Sequence, residues 1–282
     1  MVMTARHDIS LITTTKIVLI VEYDGTDYHG FQWQANLPTV QGEIETALEK
    51  LTGERLRVAA ASRTDAGVHA QGQVVSFRTK SHYSQQTFVD GLNYYLPQDI
   101  AVKTAHKAAD SFNVRRHAIG REYNYCILNS LTRSPLKAPF THRVEGHLDI
   151  EVMNQACRAL IGEHDLASFA SDFRDEIKST VYGKGTRTIR RVYRAEFSRQ
   201  GSIQISIEEN LVLFNMVASS FLPHQVRNTV GALIRVGQDK MSVNEFYHIV
   251  KAKKTGLAGP TAPACGLCLT RVNYPHHFEQ ER

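Results

Sequence analysis

The chain is short of cysteine: four in 282 residues, Cys126, Cys157, Cys265 and Cys268. That is too few for a disulfide scaffold in a chain this long, and it points to a reducing, cytoplasmic setting. No apolar run approaches the roughly 18 residues that a membrane-spanning helix needs. Residues 1–15 lack a continuous apolar stretch after a basic start, which makes them a poor secretory signal. Arg6 and the Thr and Ser residues around it leave an organelle-targeting reading open, but a frayed tail suits them better. Outside the ends, no window has a disordered composition. Acidic residues are in slight deficit, with Asp+Glu 28 against Lys+Arg 33, a net charge of +5. An excess of that size favours a polyanionic partner without proving one. Hydrophobic residues make up 42%, enough for a sizeable core in two domains or one large one.

The few cysteines include one chelating pattern. Cys265-Gly-Leu-Cys268 has C-x-x-C spacing, and His276-His277 follow. Such a set could hold zinc. Against it, Cys265 to Thr270 reads as a strand, where residues three apart point to opposite faces. The expectation is no metal.

Strand and helix signals alternate. Lys16 to Tyr23 is a β-branched run. Thr39 can cap a helix with Val40, Ile44, Leu48 and Leu51 on one face. Arg55 to Ala61 and Gln71 to Thr79 read as strands. Ser84 can cap a helix that Pro97 stops, and Asp99 to His106 closes the unit. The order is β-α-β-β-α-β, a ferredoxin-like unit. A similar pattern returns with additions: a strand at Gly120 to Leu128, a helix capped by Asp149, and strands at Thr188 to Phe197, Ile203 to Glu208 and Leu211 to Val217. Helices at Leu222 to Val236 and Ser242 to Lys251 follow, then a strand at Gly266 to Val272. The expected fold is α+β: two ferredoxin-like halves with antiparallel sheets joined around a central cleft. Residues 1–15 are a tail, 16–110 the first half, 111–275 the second, and 276–282 a tail. Two RNA-recognition-type modules without catalysis would give the same pattern. The chain lacks the aromatic platform motifs that reading needs.

Between two of those strands runs Ser62-Arg63-Thr64-Asp65-Ala66-Gly67-Val68-His69-Ala70. Asp and Gly are common turn residues, so a plain hairpin is the bland reading. A carboxylate held in a loop with a guanidinium two residues away is also a plausible reaction centre.

This loop resembles the signature of the tRNA pseudouridine synthase A family, G-R-T-D-A-G-V-H-A, with Ser62 in place of the first Gly. Three further blocks match in order. Phe112-Asn113-Val114-Arg115 with Arg121-Glu122-Tyr123-Asn124-Tyr125 resembles F-[ND]-A-R … R-x-Y-x-Y. Phe221-Leu222-Pro223-His224-Gln225-Val226-Arg227-Asn228 resembles F-L-x-x-M-V-R-N, and Ala262-Pro263-Ala264-Cys265-Gly266-Leu267 resembles A-P-x-x-G-L. Tyr23-Asp24-Gly25-Thr26 and Gly30-Phe31-Gln32 fit the opening strand and loop. The departures are Ser62 for Gly, Gln225 for Met and Val114 for Ala.

The resemblance implies conversion of uridine to pseudouridine at positions 38, 39 and 40 of the tRNA anticodon arm, by a homodimer without a cofactor. Such an isomerisation breaks the N-glycosidic bond, rotates the base and rebonds it through carbon 5. A carboxylate can act as nucleophile toward C6 or the anomeric carbon, or as a base. Asp65 is the candidate, and the sequence leaves these roles open. Arg63 would favour its charged form or contact a phosphate. Tyr123 would stack on the extruded base and take the carbon-5 proton. Arg227 could pair with Asp65 or a phosphate, and Leu267 would be pocket wall. Arg115, Arg116, His117, Arg121, Arg187, Arg190 and Arg191 are candidate phosphate contacts. Two other readings stand beside this one: RNA binding without catalysis, and glycosidic hydrolysis. The latter needs a second carboxylate roughly 5–10 Å from the first, and none stands near Asp65 in sequence.

Overall fold

The computed structural model describes residues 14–171, 188–199 and 211–275. The strand expected at Ile203 to Glu208, Arg187, the His276-His277 pair and nearly all of both tails lie outside these residues. Within them, five helices and one ten-stranded sheet make an α+β fold.

The local signals explain most of the elements. Strand β1 (Thr15–Tyr23) buries its β-branched centre. Thr39 caps α1 (Val40–Thr52), its Oγ1 accepting from the Gly42 N–H at 3.3 Å, and Val40, Ile44 and Leu48 are buried at helical spacing. Strands β2 (Ala59–Ala60) and β3 (His69–Thr79) flank the signature loop. Ser84 caps α2 (Gln85–Tyr95), which leads into β4 (Ile100–Ala108). Further along the chain, β5 (Gly120–Asn129) buries Tyr123, Tyr125 and Ile127 on one face. Short β6 (His142–Val144) precedes α3 (Ile150–Cys157), capped by Asp149. Strands β7 (Gly162–Asp165), β8 (Ile189–Arg199) and β9 (Leu211–Ala218) follow. Helix α4 (Gln225–Gly237) comes next, then α5 (Val243–Ala252), which opens with a Ser242/Glu245 capping box, and β10 (Leu267–Asn273) ends the sheet.

The strand order is β4-β1-β3-β10-β5-β9-β8-β7. β2 pairs with the far end of β3, at Val75 and Ser76. The orders β4-β1-β3-β2 and β10-β5-β9-β8 therefore correspond. They meet at a short parallel contact, where Cys268 and Leu269 of β10 lie beside His69 and Ala70 of β3. The signature loop ends at that seam, and one buried core runs under both sides of it.

Three expectations need correction. Only Ala59–Ala60 of the run Arg55 to Ala61 is strand, because helix side chains claim the backbone before it. The Val58 N–H donates to Glu45 Oε1 (3.0 Å) and its carbonyl accepts from Gln41 Nε2 (3.4 Å). The helix expected from Leu222 starts at Gln225. Its own side chain accepts from the Leu222 N–H at 2.8 Å, and His224 stands in the left-handed region with φ 58°. The strand expected from Cys265 begins at Leu267, after a 3-10 turn over Ala264–Gly266. All four cysteines are free, and no cluster of metal-ligating side chains occurs among the described residues.

Candidate active site

The signature loop is held from beneath by residues 23–31. The Thr64 hydroxyl bonds the buried Tyr23 hydroxyl at 2.8 Å, and the Thr64 carbonyl accepts from the Phe31 N–H at 3.0 Å. The Gly67 N–H donates to the Tyr28 carbonyl at 3.2 Å. This approach is too close for side chains. A Cβ on Gly25 would sit 2.1 Å from the Val68 carbonyl oxygen, and one on Gly30, at φ +93°, would sit 2.8 Å from that of Thr64. The Tyr-Asp-Gly-Thr and Gly-Phe-Gln blocks thus form the bed of the loop. His69 anchors its exit: Nδ1 accepts from the Gly25 N–H at 3.1 Å, and Nε2 faces the carbonyls of Pro139 and Cys265 at 3.0 and 3.2 Å.

Asp65 projects from this loop into a cleft of about 490 Å³, within the usual range of about 300–1,000 Å³ for ligand pockets. Arg227 and His224, at the start of α4, address one carboxylate oxygen. Arg227 Nη1 lies 3.3 Å and His224 Nε2 3.5 Å from Asp65 Oδ2. Among the described residues, Oδ1 has no hydrogen-bond or ion-pair partner. Arg227 is itself fixed, its Nε donating to the Ala262 carbonyl at 2.8 Å. Among the described residues, four arginines line the cleft and Asp65 is its only acidic lining residue. Tyr123 and Leu267, both buried, complete the wall with Phe221, whose ring meets that of Tyr123 edge-on at 5.1 Å.

A carboxylate with one oxygen clamped and one free, in a cationic cleft with an aromatic wall, is what nucleophilic or base chemistry on a nucleotide requires. The comparisons agree with the motifs. The family model for tRNA pseudouridine synthase matches residues 19–115 and 156–275. A tRNA pseudouridine synthase A of Chloroflexus aurantiacus is 40% identical over 259 residues, covering 92% of this chain and 88% of the relative. The protein of the same name from Francisella tularensis subsp. novicida is 38% identical over 258 residues, covering 92% and 93%. The chain belongs to the tRNA pseudouridine synthase family. Its likeness to solved structures is distant: an H/ACA RNP bound to a substrate RNA aligns over 89% of this chain and 59% of its own, at TM-score 0.34 and 11% identity.

Two departures from the family motif fall in the site. Ser62, where the motif has Gly, places its Oγ 2.9 Å from the Tyr123 hydroxyl. Gln225, where it has Met, is buried, and its Nε2 has no partner among the described residues. Burial pushes the Tyr123 phenol up to about 12, with the nearby Asp65 charge adding to the rise, so the hydroxyl is neutral at neutral pH.

The arginines divide in a way the sequence does not reveal. Arg63 lines the cleft but is exposed and makes no ion pair with Asp65, whose partners come from α4 instead. Arg115 also lines the cleft. Arg116, His117 and Arg191 are exposed outside it, and Arg190 is half-buried. Arg121 is buried. Its guanidinium donates to the carbonyls of Ala118, Ser219, Ala61 and Arg115 at 2.8–3.2 Å. Burial lowers its pKa. With its donors so engaged it ties the loop to β9, which replaces the phosphate contact expected of it. His224 and Ser62 also line the site; both lie inside the motif blocks, but neither residue type there signals its role on its own.

Proposed function

We propose that this chain isomerises uridine to pseudouridine in the anticodon arm of tRNA, at the three neighbouring positions the family resemblance implies. The observation that carries the mechanism is the single, half-clamped carboxylate. Asp65 Oδ1 attacks the flipped nucleotide, at C6 or at the anomeric carbon, or acts as a base. The N-glycosidic bond breaks, the base turns, and a bond forms from carbon 5 to the anomeric carbon. Carbon 5 then loses its proton and Asp65 is released. The target base must first leave its stack, which costs a few kcal/mol. Tyr123 and Leu267 supply the wall against which it settles, and Arg63 and Arg115 the cations for adjacent phosphates. Because the Tyr123 phenol is neutral, it relays the carbon-5 proton toward Ser62 or water and is not a resident phenolate.

No cofactor is required, since nothing is oxidised, reduced or imported. Hydrolysis is disfavoured because no second carboxylate lines the cleft among the described residues. Release of tritium from carbon-5-labelled uridine in tRNA tests the reading. Isomerisation releases it, whereas binding alone or hydrolysis leaves it in place. We further infer a cytoplasmic homodimer. The four free cysteines support the compartment, and the family resemblance supports the dimer, which light scattering of the purified chain would measure. No helix among the described residues is long and apolar enough to cross a membrane.

A further inference from the structure

We propose that His224, clamped by Ser171, is a positioning residue for Asp65. The family motif leaves position 224 unspecified, so the assignment rests on geometry, together with the reading of Asp65 above. His224 has φ 58° and ψ 4°, a left-handed conformation that is uncommon for a residue with a side chain and often marks a functional site. It precedes α4, yet its side chain caps nothing there. The ring turns across the cleft instead. Its Nδ1 lies 2.5 Å from Ser171 Oγ, and the Ser171 N–H donates to the Pro223 carbonyl at 3.2 Å, which fixes that serine in place. With Nδ1 occupied, Nε2 is the nitrogen left to face Asp65, 3.5 Å from Oδ2. Catalytic contacts are often long in an unliganded enzyme and tighten with substrate.

Arg227 reaches the same oxygen. The two groups therefore pull Oδ2 toward α4 and present Oδ1 to the cleft. Arg227 alone could swing the carboxylate about its contact; a second donor from the preceding turn fixes its plane. Among the described residues, the side chains within hydrogen-bond or ion-pair distance of the His224 ring are Asp65 and Ser171.

The test is single-turnover tritium release by the full chain at saturating enzyme, with tRNA affinity measured in parallel. His224→Gly relieves the left-handed backbone while removing the ring, so misfolding is not the expected result. The variant should lose about tenfold or more in rate with affinity within about twofold, the size of a lost hydrogen bond to a charged group. His224→Gln, whose amide can still donate, should recover most of that loss. Ser171→Ala should slow the wild type a few fold and change nothing in the His224→Gly background. Three results would overturn the proposal: His224→Gly as fast as wild type, a loss confined to affinity, or a Ser171→Ala effect of equal size in both backgrounds. An active Asp65→Asn variant would instead sink the reading of Asp65. A silent Asp65→Asn beside a fully active His224→Gly would sink the positioning role alone.

Discussion

Replacing Arg227 by methionine keeps an unbranched apolar stem and removes the charge and the donors. Arg227 Nη1 lies 3.3 Å from Asp65 Oδ2, and Nε holds the Ala262 carbonyl at 2.8 Å. At an effective permittivity of about 20, unit charges at this separation attract by about 5 kcal/mol. The Asp65 side chain is 29% exposed and that of Arg227 17%, so solvent screens much of this. The net worth of a hydrogen bond to a charged group, about 1.5–3 kcal/mol, is the better guide. At about 1.36 kcal/mol per factor of ten, that predicts a single-turnover rate lower by about 10- to 150-fold. Arg227→Lys restores the charge but cannot serve both partners, so it should fall between the two. The assay is tritium release at saturating enzyme, with tRNA binding measured separately. A methionine variant within twofold of wild type, in a protein whose Asp65→Asn variant is dead, would refute the claim that Arg227 prepares the carboxylate.

Tyr123→Phe should retain tRNA binding, since the ring face is unchanged, yet lose most single-turnover rate; a Phe variant as fast as wild type leaves the tyrosine only a stacking role. The same residue predicts a pH effect on stability. The phenol rises from 10.0 in the unfolded chain to about 12 in the fold, so its contribution is intact below about pH 10 and is lost as pH climbs through 12. Alkaline denaturation of Tyr123→Phe should lack that part of the loss. Ser62→Gly removes the partner 2.9 Å from the phenol and should cost about 0.5–1.5 kcal/mol of its placement, roughly two- to tenfold in rate; an unchanged rate would make the departure from Gly neutral. Binding should weaken with salt at a log–log slope of roughly −0.7 to −0.9 per neutralised phosphate, and a slope near zero would exclude the exposed arginines as the RNA surface.

The starts of α1, α2, α3 and α5 were legible because each rests on a local side chain, whereas α4 has no side-chain cap and its start was misplaced. Thr39, Ser84, Asp149 and Ser242 all cap the helices that follow them. Asp65, Tyr123, Arg227 and Leu267 could be picked out because motif blocks far apart in the chain pointed to one place, and the cleft does gather them. What escaped depends on contacts that no spacing encodes. Arg121 looks like any basic residue on a strand until four carbonyls converge on it. Arg63 stands two residues from Asp65, yet the partner comes from α4, more than 150 residues on. Val58 is β-branched and would suit a strand, but Glu45 and Gln41 take its backbone first. The three-residue β6 and four-residue β7 are too short for any periodicity to show.

On the proposed mechanism, Asp65 makes and breaks bonds with the target nucleotide. Asp65→Asn keeps the size of the side chain and the hydrogen-bonding reach of one oxygen, and removes the charge. Single-turnover tritium release from carbon-5-labelled tRNA by this variant should fall below about a hundredth of the wild-type rate, with tRNA affinity within a few fold. A rate above that level, at unchanged affinity, would contradict the account.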